Sequence, residues 1–261
     1  MREIFYQLPL WVSAIVVLGL TVGVCVGGHL GVRALIPHRA SEEVTSLATA
    51  VMGVVSAFIG IMLAFAAVQV WQDYLVADEA VAREAAVTAE LYRDLTTYGP
   101  ETIPARAAVK TYVVAVLDDE WPRLAKGEAS PRAIAALDGM FAVMGTIQPR
   151  TPRDTVIYGE VFKKLNEVVD HRRSRLIASR AELPVLFWLV VIAGSAIIVS
   201  YTFVYPANWA NELIIAGLAV SLGLIFLFIL AVDHPFSGTY SVDARELRDL
   251  LPLFERLSEG L

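Results

Sequence analysis

The sequence predicts an all-α membrane protein with four transmembrane helices in two hairpins and a cytoplasmic helical domain inserted between spans two and three. Three observations carry that prediction. Hydrophobic residues make up 56% of the 261 residues against 18% charged, and they are gathered into long blocks. Four stretches are free of charge. The lysines and arginines cluster between the second and third of these.

No Asp, Glu, Lys or Arg falls between Glu3 and Arg33, between Glu43 and Asp73, between Glu182 and Glu212, or between Glu212 and Asp233. Each gap reaches the roughly 20 residues that a helix needs to cross a hydrocarbon core about 30 Å thick. None of the four has the polar face of a soluble core helix. The spans are placed near residues 8–34, 46–71, 184–204 and 212–232. The expected domains are a first transmembrane hairpin over 1–71, a helical domain over 72–183, a second hairpin over 184–233 and a C-terminal segment over 234–261. The first span follows Arg2, as a signal peptide would, but its apolar stretch is too long and ends without a small-residue cleavage site, so it is expected to stay.

Four spans put the N-terminus, the central segment and the C-terminus on one side. Residues 72–183 hold 15 Lys and Arg, against Arg33 and Arg39 in the first hairpin loop and none at 206–211. By the positive-inside rule that side is cytoplasmic, in a multi-pass protein of the cell inner membrane. The formal net charge of −6 argues against a nucleic-acid partner. Cys25, the only cysteine, lies within the first span, which excludes an intrachain disulfide and a thiolate cluster.

Neither proline nor glycine occurs between Ile61 and Tyr98, so span two is expected to continue as one helix to Gly99-Pro100. At 1.5 Å per residue it would project roughly 40 Å past the membrane. Thr102-Ile103-Pro104 opens a helix running to Trp121-Pro122, Ser130-Pro131 a short one, and Thr151-Pro152 a long one. With only Gly159 as a breaker before Pro184, the long one is expected to lead straight into span three.

Along span two, Gly53, Ser56, Ala57, Gly60, Ala64 and Ala67 share a face at spacings of three and four, and small residues let helix backbones approach closely. A neighbouring stripe carries Val54, Phe58, Ile61, Met62 and Phe65, then Gln69 and Gln72. Two arrangements fit. Either the helix packs on its small face and turns the bulky one to lipid, or one face lines a pore. In the second case Gly53, Val54, Ala57, Phe58, Ile61, Met62, Phe65 and Gln69 line the pore, where an apolar constriction can gate by dewetting. Gln72, Asp73, Asp78 and Glu79 then form its cytoplasmic mouth. Residues 72–98 hold six acids against two bases, which would concentrate cations there. A solvated helix face with spaced pairs such as Glu79 with Arg83 is the plainer account.

Gly19, Gly23, Gly27 and Gly31 recur at strict four-residue spacing in span one and mark a close helix contact, within the subunit or between subunits. His29 on that span is either a functional ionisable group or one close enough to the end to reach the interface. Asp233-His234-Pro235-Phe236 closes the fourth span, and Arg172, Arg173 and Arg175 precede the third. These basic residues suit a salt bridge to Asp233, a lipid-phosphate site or ordinary positive-inside anchoring. There is no Gly-rich phosphate loop, His-Glu-x-x-His or Gly-x-Ser-x-Gly, and His29, His38, His171 and His234 are scattered over both sides of the membrane. No enzyme, cofactor or metal site is expected.

Gly60-Ile61-Met62-Leu63-Ala64-Phe65 running into Trp71-Gln72-Asp73-Tyr74 and then Glu84-Ala85-Ala86 resembles the bestrophin-like four-helix membrane family. Glu120-Trp121-Pro122, the basic run 172–176, Leu183-Pro184 and Asp233-His234-Pro235-Phe236 extend the resemblance over nearly the whole chain. It implies a homo-oligomer, with five subunits favoured, among membrane lipids, conducting inorganic ions through an apolar neck of second helices above a cytoplasmic vestibule. The sign of the ion stays open, because local acidity favours cations while eukaryotic relatives conduct anions. Gly53, Ala57 and Ile61 fall where bestrophins carry bulky neck residues, so the neck is either wider or supplied by Phe58 and Phe65. The acidic, proline-containing segment of calcium-gated bestrophins is missing after Tyr74, so calcium gating is not implied. The other function that fits is a non-conducting membrane adaptor or sensor whose helical stalk binds a partner.

Overall fold

The computed structural model describes residues 8–36, 40–238 and 240–259; Arg2, Glu3, His38 and Arg39, which entered the charge and sidedness arguments, lie outside them. In chain order the helices are α1 (Leu10–Leu35), α2 (Glu42–Tyr98), α3 (Ile103–Ala115), α4 (Trp121–Leu124), α5 (Pro131–Met144), α6 (Pro152–Ala178), α7 (Val185–Thr202), α8 (Trp209–Val232), α9 (Arg245–Arg248) and α10 (Leu250–Glu259). A 3-10 turn (Pro100–Thr102) precedes α3 and a π-turn (Val116–Glu120) follows it. No strand occurs among the described residues. Of these helices, α1, α2, α7 and α8 are long and apolar enough to cross a membrane.

The boundaries follow from local chemistry. α2 runs unbroken for 57 residues and stops at Gly99, whose φ of 135° lies where L residues rarely go. Ser130 caps α5 by accepting from the Ala133 N–H. Thr151 and Asp154 exchange side-chain and backbone hydrogen bonds in a capping box that opens α6. Thr102, expected as a cap, turns back instead, its hydroxyl donating to the carbonyls of Leu95 and Gly99. The π-turn has a cause in Pro122, which has no N–H for the carbonyl four residues back. The chain widens, and the Trp121 N–H reaches the Val116 carbonyl five residues away.

A longer-range expectation fails as well. α6 does not continue into span three but ends at Ala178, with a turn before α7 opens at Val185. Pro184 disfavours helical backbone at Leu183. The Leu183 N–H donates instead to Asp233 Oδ1 at 2.8 Å.

Two compact units share the chain. The first comprises Met1–Gln72, Glu182–Asp233 and Gly238–Tyr240. Its principal helix pairing joins the first and last spans, α1 and α8, rather than the members of either sequence hairpin. The two helices run antiparallel, with His29 beside Glu212 and Thr21 beside Gly223. A Cβ at Gly223 would overlap Thr21 and Leu18, and one at Gly194 of α7 would overlap Ile59 of α2. Cys25, Ile215 and Ala219 form a small core between α1 and α8.

The second unit comprises Asp73–Ala181, His234–Ser237 and Ser241–Leu261. Its core joins Ala77, Val81, Leu91 and Leu95 of α2 to Val109 and Tyr112 of α3, Met140 and Met144 of α5, and Leu165 and Val168 of α6. The C-terminal residues belong to it. Leu250 and Phe254 of α10 are buried, and Phe254 stacks on Tyr92 with ring centroids 4.1 Å apart.

Candidate functional site

Within the first unit, α2 presents three stripes. Ile59, Leu63, Ala66 and Val70 are buried, at helical spacings of four, three and four. The small residues Gly53, Ala57, Gly60 and Ala64 are exposed, as are bulky Val54, Phe58, Ile61 and Phe65. Phe58 and Phe65 keep 67% and 70% of their surface, so neither packs inside its own chain. Met62 is partly buried, and Gln69 and Gln72 are exposed. Of the acids beyond, Asp73 is partly buried and Asp78 exposed. Glu79 accepts from Arg83 at 2.6 Å in an exposed pair, as the plainer account expects.

Deep in the second unit, α2, the π-turn and α6 each place a charged side chain at one point. Arg175 of α6 is fully buried and grips Glu84 of α2 with two bonds, Nε to Oε2 at 2.6 Å and Nη2 to Oε1 at 3.1 Å. Its Nη2 also donates to Glu120 Oε1 at 2.8 Å. Arg172, one turn earlier by helical spacing, donates to both oxygens of Glu120. The Tyr112 hydroxyl donates to Glu84 at 2.7 Å, and the Ser130 N–H to Glu120 at 3.1 Å. Trp121 lies under the guanidinium, 5.9 Å from ring centroid to Cζ, and packs edge-on to Phe236.

Two carboxylates meet two guanidiniums, so the cluster is neutral as a whole. Burial works against the Arg175 charge, yet Glu84 more than offsets it and holds the guanidinium protonated. Burial would likewise raise the Glu120 carboxyl, but the Arg172 hydrogen bonds and the Arg175 charge leave it below the usual carboxylate range. Burial and then the Glu84 charge hold the Tyr112 phenol well above its ordinary range. The bonds among these groups tie α2, α3, the π-turn and α6 together.

A second polar cluster sits at the C-terminal end of α1 in the first unit. His29 is fully buried, with Nδ1 2.7 Å from Glu212 Oε1 and Nε2 3.1 Å from the Tyr205 carbonyl. Arg33 donates to the carbonyls of Tyr205 and Val204. The Tyr205 and Thr49 hydroxyls share a hydrogen bond of 2.7 Å.

A family model for the bestrophin-like domain matches residues 19–247. The chain belongs to the bestrophin-like family. No curated protein and no solved structure matches it. This bestrophin-like chain is therefore a membrane protein, and the residues that carried the resemblance in its sequence acquire a physical role. Glu84, Glu120, Trp121, Arg172 and Phe236 come from four separate motifs, and all of them meet in or beside the Arg175 cluster.

That meeting corrects one expectation. Arg172 and Arg175 are not a lipid-phosphate site, because both are buried and committed to Glu84 and Glu120. Asp233 accepts from the Leu183 N–H, and only Arg173 of the three arginines is exposed. The four glycines of α1 also resolve in part. A Cβ at Gly19, Gly23, Gly27 or Gly31 would meet nothing within 4 Å, so among the described residues the stripe packs against no other helix of the chain. Glu84 and Glu120 were missed as site residues. The signal for Glu84 was present, a carboxylate between Val81 and Ala85 on the apolar stripe of α2.

Proposed function

We propose that this bestrophin-like protein is the subunit of a homo-oligomeric ion channel of the cell inner membrane, with five copies placing α2 around a central pore. The observation that carries this is the double exposure of α2. Lipid covers a bulky apolar stripe well, but a flush stripe of Gly53, Ala57, Gly60 and Ala64 gains most from another helix backbone. A neighbouring copy seated there turns the adjoining stripe inward. Phe58 and Phe65 then form the neck, with Val54, Ile61 and Met62, and the stripe ends in polar Gln69 and Gln72. Domain 72–183 and both termini lie on the cytoplasmic side, where Asp73, Asp78 and Glu79 ring the pore mouth. Exposed Arg173 is left as a partner for lipid phosphate.

The test is ion flux from liposomes holding the purified protein, with the subunit number of the detergent particle measured in parallel. A ring of subunits that passes ions, with conductance altered by Phe58→Ala or Phe65→Ala, is the expected result. Rings that stay silent under every ionic condition overturn conduction. A monomer or dimer that captures a partner through residues 72–183 establishes the adaptor instead.

A further inference from the structure

Where α2 ends, a cavity of about 270 Å³ opens within the second unit. Tyr98 of α2, Glu101 of the 3-10 turn, Ile147, Gln148 and Arg150 of the α5–α6 connection, and Asp154 of α6 line it. The wall is fixed by bonds of its own. The Ile147 N–H and the Tyr158 hydroxyl both donate to the Met144 carbonyl, which holds the connection against α6. Asp154 Oδ2 accepts from the backbone N–H groups of Arg150 and Thr151, while Oδ1 has no such bond. Gly99 leaves room for Glu101 to fold back, since a Cβ there would stand 3.0 Å from Glu101 Oε2.

What the wall leaves open is charge. The Arg150 guanidinium and the Glu101 carboxylate line the same cavity, yet among the described residues neither pairs with the other or with any other side chain. The Gln148 amide and the Tyr98 hydroxyl are likewise unbonded to the described chain. Such a wall selects by sign. A purely cationic ligand meets the opposition of Arg150, and a purely anionic one that of Glu101 and Asp154. A molecule carrying an ammonium and a carboxylate satisfies both. It must also be small, because the cavity falls just below the roughly 300–1,000 Å³ of sites for drug-sized ligands. We propose that this cavity binds a free α-amino acid, with its carboxylate on Arg150 and its ammonium on Glu101 and Asp154. The Tyr98 ring and Ile147 then face its side chain, and the Gln148 amide supplies a further polar contact. The bound molecule bridges the end of α2 to the α5–α6 connection, a regulatory input for a channel and an adaptor alike.

The test is calorimetric titration of the full chain in lipid nanodiscs with the common α-amino acids one at a time, and with methylamine and acetate as probes of a single charge. At least one amino acid is expected to bind saturably, and more tightly than either probe. Glu101→Gln and Arg150→Gln should each weaken that binding by about tenfold or more, the loss of one contact to a charged group. Both side chains are exposed, so the unfolding midpoint without ligand should stay where it is, which separates lost binding from lost fold. Failure of every amino acid to bind at millimolar concentration overturns the proposal. So does methylamine or acetate binding as tightly as the best amino acid, or binding that survives both substitutions.

Discussion

Arg175 is fully buried and bonded to two carboxylates that are themselves buried, Glu84 and Glu120. The four charges sort into two neutral pairs, Glu84 with Arg175 and Glu120 with Arg172. Removing one member strands a buried charge, which costs roughly 3–5 kcal/mol, whereas removing a whole pair costs much less. Glu84→Leu should therefore destabilise the protein by about that amount. Adding Arg175→Met to it should restore part of the loss, because Glu120 and Arg172 still neutralise each other. Equilibrium unfolding in detergent separates the two, and a double variant worse than the single would show that the pairs are not separable. Protonation gives a second handle. The Glu120 carboxyl is depressed, so its stabilisation is present above the unfolded value near 4.3 and is lost as pH falls through the lower folded value. The Tyr112 phenol is raised, so its contribution is full below the unfolded value near 10 and is lost as pH rises beyond it. In thermal unfolding against pH, Glu120→Gln should flatten the acid limb and Tyr112→Phe the alkaline one.

Helix starts and stops were the most legible elements, because a cap or breaker acts on its own neighbours. Gly99, Ser130 and Thr151 each end or open a helix where their local chemistry requires it. The apolar spans were equally plain, since crossing a bilayer needs a length of uncharged helix and little else. Features that depend on distant residues were hidden. Glu84 and Arg175 are 91 positions apart, and nothing local to either announces the other. The π-turn at Val116–Glu120 needs both Pro122 in the helix and the arginines that receive Glu120. The break after Ala178 was hidden for the same reason, because the Leu183 N–H finds its acceptor on Asp233, 50 residues on. Across α9 and α10, Leu247, Leu250 and Phe254 recur at spacings of three and four, a visible sign of an apolar face; what Phe254 covers, Tyr92 of α2, is known only from the fold.

For the whole molecule the question is which glycine surfaces serve the chain and which serve an assembly. The two kinds differ in what a side chain would meet. Gly223 faces Thr21 and Leu18 inside the chain, whereas Gly23 faces open space, with Gly19, Gly27 and Gly31 in line. A leucine at 223 must push α1 and α8 apart, an overpacking that typically costs about 1–3 kcal/mol. A leucine at 23 leaves the folded chain untouched and blocks only a helix of another copy that uses the groove. Gly223→Leu should therefore lower the unfolding midpoint whatever the oligomeric state. Gly23→Leu should keep the subunit fold, and with it the buried state of Cys25, while native mass spectrometry finds smaller particles. If Gly23→Leu particles keep their full subunit number, the α1 stripe faces lipid and the small stripe of α2 must hold the ring alone. In that case Ala57→Leu, at another exposed position of α2, is the substitution that disperses it.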